Sequence, residues 1–186
     1  MPKRTPQERL PVDLRPESWR PSPERQAQIE DLLWDREIMR VYCDCSASKR
    51  IGAFGLAAAY VYDGSVTVRS RKLYSKDNLQ PVYGELHTIL YAIQQLSVVL
   101  KGVPAIPTRI AVFSDVADID HLLSAQGTGN FAAVAKQIAA AHDTFTSRWE
   151  EISLTISAMP TEEKRHNPFY VAAHNGARKE VLIERR

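Results

Sequence analysis

Three acids stand out by where they fall along the chain. Asp44 lies near the end of an alternating run, Met39-Arg-Val-Tyr-Cys-Asp-Cys-Ser-Ala-Ser48. In that run Val41 and Cys43 share one face and Tyr42 and Asp44 the other, because successive strand residues point to opposite sides. Glu85 falls in the first turn of a helix expected over Pro81 to Leu100, and Asp115 follows a short apolar run, Thr108 to Phe113. A carboxylate held in a sheet is costly unless something pairs with it. Three hard oxygen donors suit Mg²⁺ or Mn²⁺ better than zinc. Two such ions about 3.5–4 Å apart are the usual device for in-line attack on a phosphodiester.

The surrounding elements decide whether these acids can meet. Three strand-like runs follow one another, Ile38 to Ser46, Gly52 to Tyr62 and Ser65 to Tyr74, with Asp63-Gly64 as a hairpin signal between the last two. The small residues Gly55, Ala57, Ala58 and Ala59 imply that another element packs closely on the second run. The long helix carries Leu86, Ile89, Leu90, Ile93, Leu96 and Leu100 at helical spacing and is stopped by Gly102 and Pro104. Thr108 to Phe113 reads as a covered strand, Val116 to Leu123 as a short helix, and Asn130 to about Arg148 as an alanine-rich helix capped by Asn130. Ile152 to Met159 is a further strand, and Asn167 to about Ile183 a last helix. Strands reached through helical crossovers pair in parallel. The expected architecture is an α/β fold with a mixed five-stranded sheet, three antiparallel strands then two parallel, and helices on both faces. The first and fourth strands are expected to be central neighbours, which gathers Asp44, Glu85 and Asp115 at one sheet edge. Asp118 and Asp120 are assigned to the short helix, where acids serve the dipole.

Ahead of the first strand, residues 1–37 read as a proline-rich arm plus a short helix, and residues 38–186 as one domain. Pro2, Pro6, Pro11, Pro16, Pro21 and Pro23 preclude a regular helix in the arm. The arm is either a disordered leader or a segment draped on the domain, with Val12, Leu14 and Trp19 docking part of it on something apolar, or a phosphate-contacting arm using Lys3, Arg4, Arg9, Arg15 and Arg20; a protein partner is a further candidate for what it binds. From Pro23 to Trp34 a helix is expected, capped by Ser22 and apolar along Ile29, Leu32 and Leu33. The 186 residues carry a net charge of +2, which permits nucleic-acid binding without demanding it. The two cysteines, Cys43 and Cys45, share a strand face at a spacing poor for a disulfide, and are read as small core residues. With no apolar run of about 20 residues and no apolar signal core, the expectation is a soluble intracellular protein, monomeric by default, with no membrane association.

The segments Tyr42-Cys-Asp44-Cys-Ser46, Tyr83-Gly-Glu85-Leu86 through Ala92-Ile93, and Phe113-Ser114-Asp115 resemble the "TDGS", "AELxAxxxAL" and "TDS" segments of the ribonuclease H family. The resemblance covers roughly residues 38 to 183. It implies a ribonuclease H-like fold and a two-metal endonuclease that cleaves the RNA strand of RNA–DNA hybrids, with Mg²⁺ or Mn²⁺ at Asp44, Glu85 and Asp115. The fourth ligand departs from the pattern. Aligning "NExADxLAR" with Tyr170-Val-Ala-Ala-His-Asn-Gly-Ala-Arg178 puts His174 where the family has Asp. His174 then either completes the ligand shell or is an ordinary polar residue beside a site of three acids. The resemblance also makes His166, in the loop before the last helix, a candidate for proton transfer, although its usual "GH" context is missing. For the duplex it points to Ser46, Ser48, Lys49 and Arg50 after the first strand and to Asn78 and Gln80 before the long helix. A module of the same fold without turnover, or a nuclease for branched DNA, remains open on the sequence.

Overall fold

The alternating run around Asp44 forms β1, Ile38–Ser48, the middle strand of a five-stranded sheet. The computed structural model describes residues 21–75, 78–124, 128–164 and 166–182. The arm's cations and Trp19 lie outside them. β2 (Ala53–Tyr62) and β3 (Ser65–Tyr74) continue the sheet antiparallel on one side of β1. β4 (Arg109–Ser114) and β5 (Ser153–Ala158) continue it in parallel on the other, giving the order β3-β2-β1-β4-β5. Asp63 and Gly64 both take positive φ, 45° and 75°, as a two-residue hairpin turn requires.

Helices cover both faces. On one, α2 (Pro81–Val99) lays Leu86, Ile89, Ile93 and Leu96 on Met39, Val41 and Cys43, and α4 (Asn130–Arg148) adds Val134, Ile138 and Phe145. On the other face Tyr42 stacks with Phe113 and Phe169, and α1 (Pro23–Trp34) closes that cluster with Ile29, Leu32 and Leu33. Ser22 caps α1 through the Arg25 N–H, as expected. No helix among the described residues is long and apolar enough to cross a membrane.

α6 (Pro168–Val181) is the element for which the small residues of β2 make room. A Cβ on Gly55 would stand 1.9 Å from the Ala177 carbonyl oxygen, so only glycine lets the helix backbone reach the strand. Gly176 packs more loosely against Ala57 and Val68, where a Cβ would stand 3.1 Å from a side-chain atom of each.

The structure corrects several details. β1 runs on to Ser48 because its pairing with β2 continues to Ser48 opposite Ala53 after β4 has left at Tyr42 opposite Phe113. Asp44 therefore sits inside the strand, just past the end of the β4 pairing. The short helix after Asp115, α3, starts later, at Ile119, and ends at Ser124. Asn130 does not cap α4: the chain enters through Gly129 at φ 109°, and Asn130 is the first helical residue. Thr161–Lys164, expected as loop, forms one further turn, α5, started by bonds to the Pro160 carbonyl.

Gly55→Val should lower stability by about 1–3 kcal/mol through overpacking against the α6 backbone, read as a fall in the urea midpoint. An unchanged midpoint would contradict the seating of α6 on β2.

Candidate metal centre

Register brings the first two acids together. The last β1–β4 pair is Tyr42 with Phe113. Asp44 and Asp115 each follow two residues later and so emerge side by side on the face covered by α6. Glu85 comes from the opposite layer. It lies in the second turn of α2 rather than the first, since the helix begins at Pro81. Gly84 allows this approach: a Cβ there would come within 2.6 Å of the Phe54 ring and 2.8 Å of Cys45 Sγ. Beyond the β4 pairing the Cys45 N–H is free of β4, and Glu85 Oε1 accepts it at 3.2 Å.

Each of the three acids offers an oxygen within 4.8 Å of the other two, a cluster that could hold a metal ion. Asp44 and Glu85 are buried, 4% and 6% exposed. Glu85 Oε2 is buried with no hydrogen-bond partner among the described residues. An orphaned carboxylate oxygen is among the costliest groups to leave in a protein interior, and a divalent cation held by three carboxylates would satisfy it. The donor set fits Mg²⁺ or Mn²⁺. The acids line a pocket of about 620 Å³ that also includes Ser46, Val116, Tyr170 and His174.

The last helix supplies the remaining contacts. Asn167 is fully buried and caps α6 by accepting the N–H groups of Phe169 and Tyr170, with Pro168 at the first helical position. That start aims Tyr170 and His174, one turn apart, at Asp44. The Tyr170 hydroxyl donates to Asp44 Oδ1 at 2.9 Å and lies 3.4 Å from Asp115 Oδ2. His174 Nδ1 meets Asp44 Oδ2 at 3.1 Å, and with a carboxylate as partner that nitrogen carries the proton. His174 thus touches Asp44 but stands outside the set of mutually close ligand atoms. Lys164 Nζ lies 3.7 Å from Asp115 Oδ2.

Burial dominates the electrostatics. It pushes Glu85 up to about 8, helped by the charges of Asp115 and Asp44 and opposed by the hydrogen bonds from Cys45. It also raises Asp44, against the lowering effect of the Tyr170 hydroxyl and His174. Both cysteine thiols are pushed up by burial and by the neighbouring carboxylates, so neither is poised as a thiolate.

The other expected residues divide. Lys49, Asn78 and Gln80 line a second cleft of about 800 Å³ with Asn130 and Phe131, and Ala47 and Pro81 border both this cleft and the acid pocket. Ser46 lines the acid pocket, while Ser48 and Arg50 line neither. His166 takes φ 57° in the loop before α6, and among the described residues no hydrogen bond joins it to the acids. Tyr170 and Lys164 were missed by the sequence reading. Tyr170 precedes His174 by four residues, so helical spacing was the signal that could have found it.

No family model matches the sequence, and no curated protein does. Solved structures do. The N-terminal RNase H domain of a Mycobacterium tuberculosis protein is 12% identical, with a TM-score of 0.54 over 78% of this chain and 99% of that one. RNase H1 of the archaeon Halobacterium salinarum is 14% identical, with a TM-score of 0.50 over 75% of this chain and 99% of that one. An RNase H1 isolated from compost, solved in complex with an RNA/DNA hybrid, is 12% identical, with a TM-score of 0.54 over 77% and 96%. The chain has the ribonuclease H-like fold.

Without metal, Glu85 should make stability fall with rising pH. Its folded pKa lies near 8, against 4.5 ordinarily, so its contribution is intact below about pH 4.5 and lost as pH rises toward 8. Glu85→Gln should therefore raise the Tm of the metal-free protein at pH 8, by on the order of a few kcal/mol of stability, and change it little at pH 5. Equal effects at the two pH values would contradict a raised Glu85.

Proposed function

We propose that this chain is a metal-dependent endoribonuclease that hydrolyses the RNA strand of RNA–DNA hybrids by a two-ion mechanism. The observation that carries the reading is the trio Asp44, Glu85 and Asp115, converging at one end of β1 and β4 in a ribonuclease H-like fold, with a buried Glu85 oxygen left for a cation. Asp44 and Asp115 would flank the ions, Glu85 would hold one of them and orient the attacking water, and His174 would complete the shell beside Asp44. Bound Mg²⁺ or Mn²⁺ supplies activation of water and stabilisation of the leaving 3′ oxygen. His166, on the loop between α5 and α6, is assigned proton transfer at the leaving group.

The substrate path runs from the acid pocket into the adjoining cleft. Lys49 there can pair with a phosphate, and Asn78 and Gln80 can hydrogen-bond sugar and phosphate oxygens. Ser46 borders the acids themselves, and Ser48, the last residue of β1, and Arg50, on the β1–β2 turn, would contact the nucleic acid outside the two cavities. An RNA strand is distinguished from DNA by its 2′-hydroxyls, which these polar side chains can read. The compost RNase H1 solved with an RNA/DNA hybrid supports this substrate class. A second reading, a nucleic-acid-binding or protein-interaction module without turnover, is favoured by one observation: both oxygens of Asp44 are already engaged by α6.

A labelled RNA–DNA hybrid incubated with the protein in Mg²⁺ or Mn²⁺ should be cut in the RNA strand only, leaving duplex DNA and DNA junctions intact. Asp44→Asn should lower the rate by more than ~100-fold, since even the outer partners of metal ligands cost 10–100-fold when removed. Absence of cutting by the unaltered protein with either ion would overturn the enzyme reading in favour of the binding module.

A further inference from the structure

The side-chain contacts that compensate Asp44 and Asp115 come from the segment of α5 and α6. Lys164 stands at Asp115 Oδ2, Tyr170 bonds Asp44 Oδ1 and approaches Asp115 Oδ2, and His174 bonds Asp44 Oδ2. Both oxygens of Asp44 thus accept from α6, whereas Glu85, reached from the other layer, keeps one oxygen without a partner among the described residues. The Tyr170 hydroxyl sits between the two acids, 2.9 Å from Asp44 Oδ1 and 3.4 Å from Asp115 Oδ2, so an ion bridging those oxygens competes with it for the same space. The helix cannot simply slide away, because the Ala177 backbone rests on Gly55 and Asn167 fixes the first turn.

From these contacts we propose that Tyr170 is an internal lock on the acid cluster. Its hydroxyl holds Asp44 and Asp115 together and must swing out before a divalent ion can bridge them. The inference rests on the metal-site reading above and deepens it, adding a regulatory step at the same site. Tyr170 is half-buried at the pocket wall, so its ring can rotate toward the opening without unfolding α6. Displacement of the phenol then makes ion binding weaker than the three acids alone would give. It also couples ion entry to whatever moves Tyr170, such as a nucleic-acid strand entering the pocket.

The test compares Mn²⁺ binding by calorimetry, without nucleic acid, in the unaltered full chain, Tyr170→Phe and Asp44→Asn. Phe keeps the ring that packs on the pocket wall and removes only the hydroxyl. Tyr170→Phe should bind Mn²⁺ about tenfold more tightly, which corresponds to ~1.4 kcal/mol. Asp44→Asn should lose that binding. Titrating Mg²⁺ into the unaltered chain should also give a tyrosine ultraviolet difference signal, absent in Tyr170→Phe, which a merely structural role would not produce. Equal or weaker Mn²⁺ binding by Tyr170→Phe, with Asp44-dependent binding in the unaltered chain, would overturn the lock and leave the metal site standing. Binding insensitive to Asp44→Asn would overturn the metal site and the lock with it.

Discussion

The parallel register between β1 and β4 is the constraint on which the candidate site depends. Tyr42 opposite Phe113 is their last pair, and these two rings stack with each other and with Phe169 on one face. Two residues further along each strand come Asp44 and Asp115, necessarily on that same face. A one-residue slip in this pairing would turn one acid to the opposite layer and replace it with Cys43 or Cys45. The aromatic stack beneath the acids and the α2 stripe on the other side of the sheet thus protect the register, and through it the cluster.

Bringing carboxylates together in a buried place costs energy, and the structure meets that cost unevenly. α6 relieves Asp44, with two donors one helical turn apart, and Lys164 relieves Asp115. Glu85 gets only the Cys45 N–H, and burial pushes its carboxyl up to about 8. The asymmetry follows from geometry. Glu85 approaches from the α2 layer, over Gly84, and among the described residues no hydrogen bond joins it to α6. The site is therefore partly neutralised by α6, while the carboxylate supplied by α2 keeps an oxygen with no partner among the described residues.

Much of this was legible in the chain because it is local. The alternation around Asp44, the apolar run ahead of Asp115 and the helical stripe around Glu85 each mark their own element, and the element order implied the strand neighbours. The small residues of β2 announced a closely packed helix. What could not be read locally depends on contacts between distant segments. Tyr170 reaches Asp44 only because Gly55 lets α6 settle on β2. β1 extends beyond Ser46 because its partner β2 extends, and α4 begins at Asn130 because Gly129 takes a backbone conformation that an Asn cap would not. Four residues such as Thr161–Lys164 carry no periodicity at all, so α5, and Lys164 with it, stayed hidden.

The central claim is that Asp44, Glu85 and Asp115 together hold divalent metal. Crystals of the protein soaked in Mn²⁺ and measured at an anomalous wavelength test it most directly. An anomalous peak is expected within bonding distance of oxygens from all three acids, including the Glu85 oxygen that has no partner among the described residues. A map with Mn²⁺ bound elsewhere and nothing between these carboxylates would contradict it.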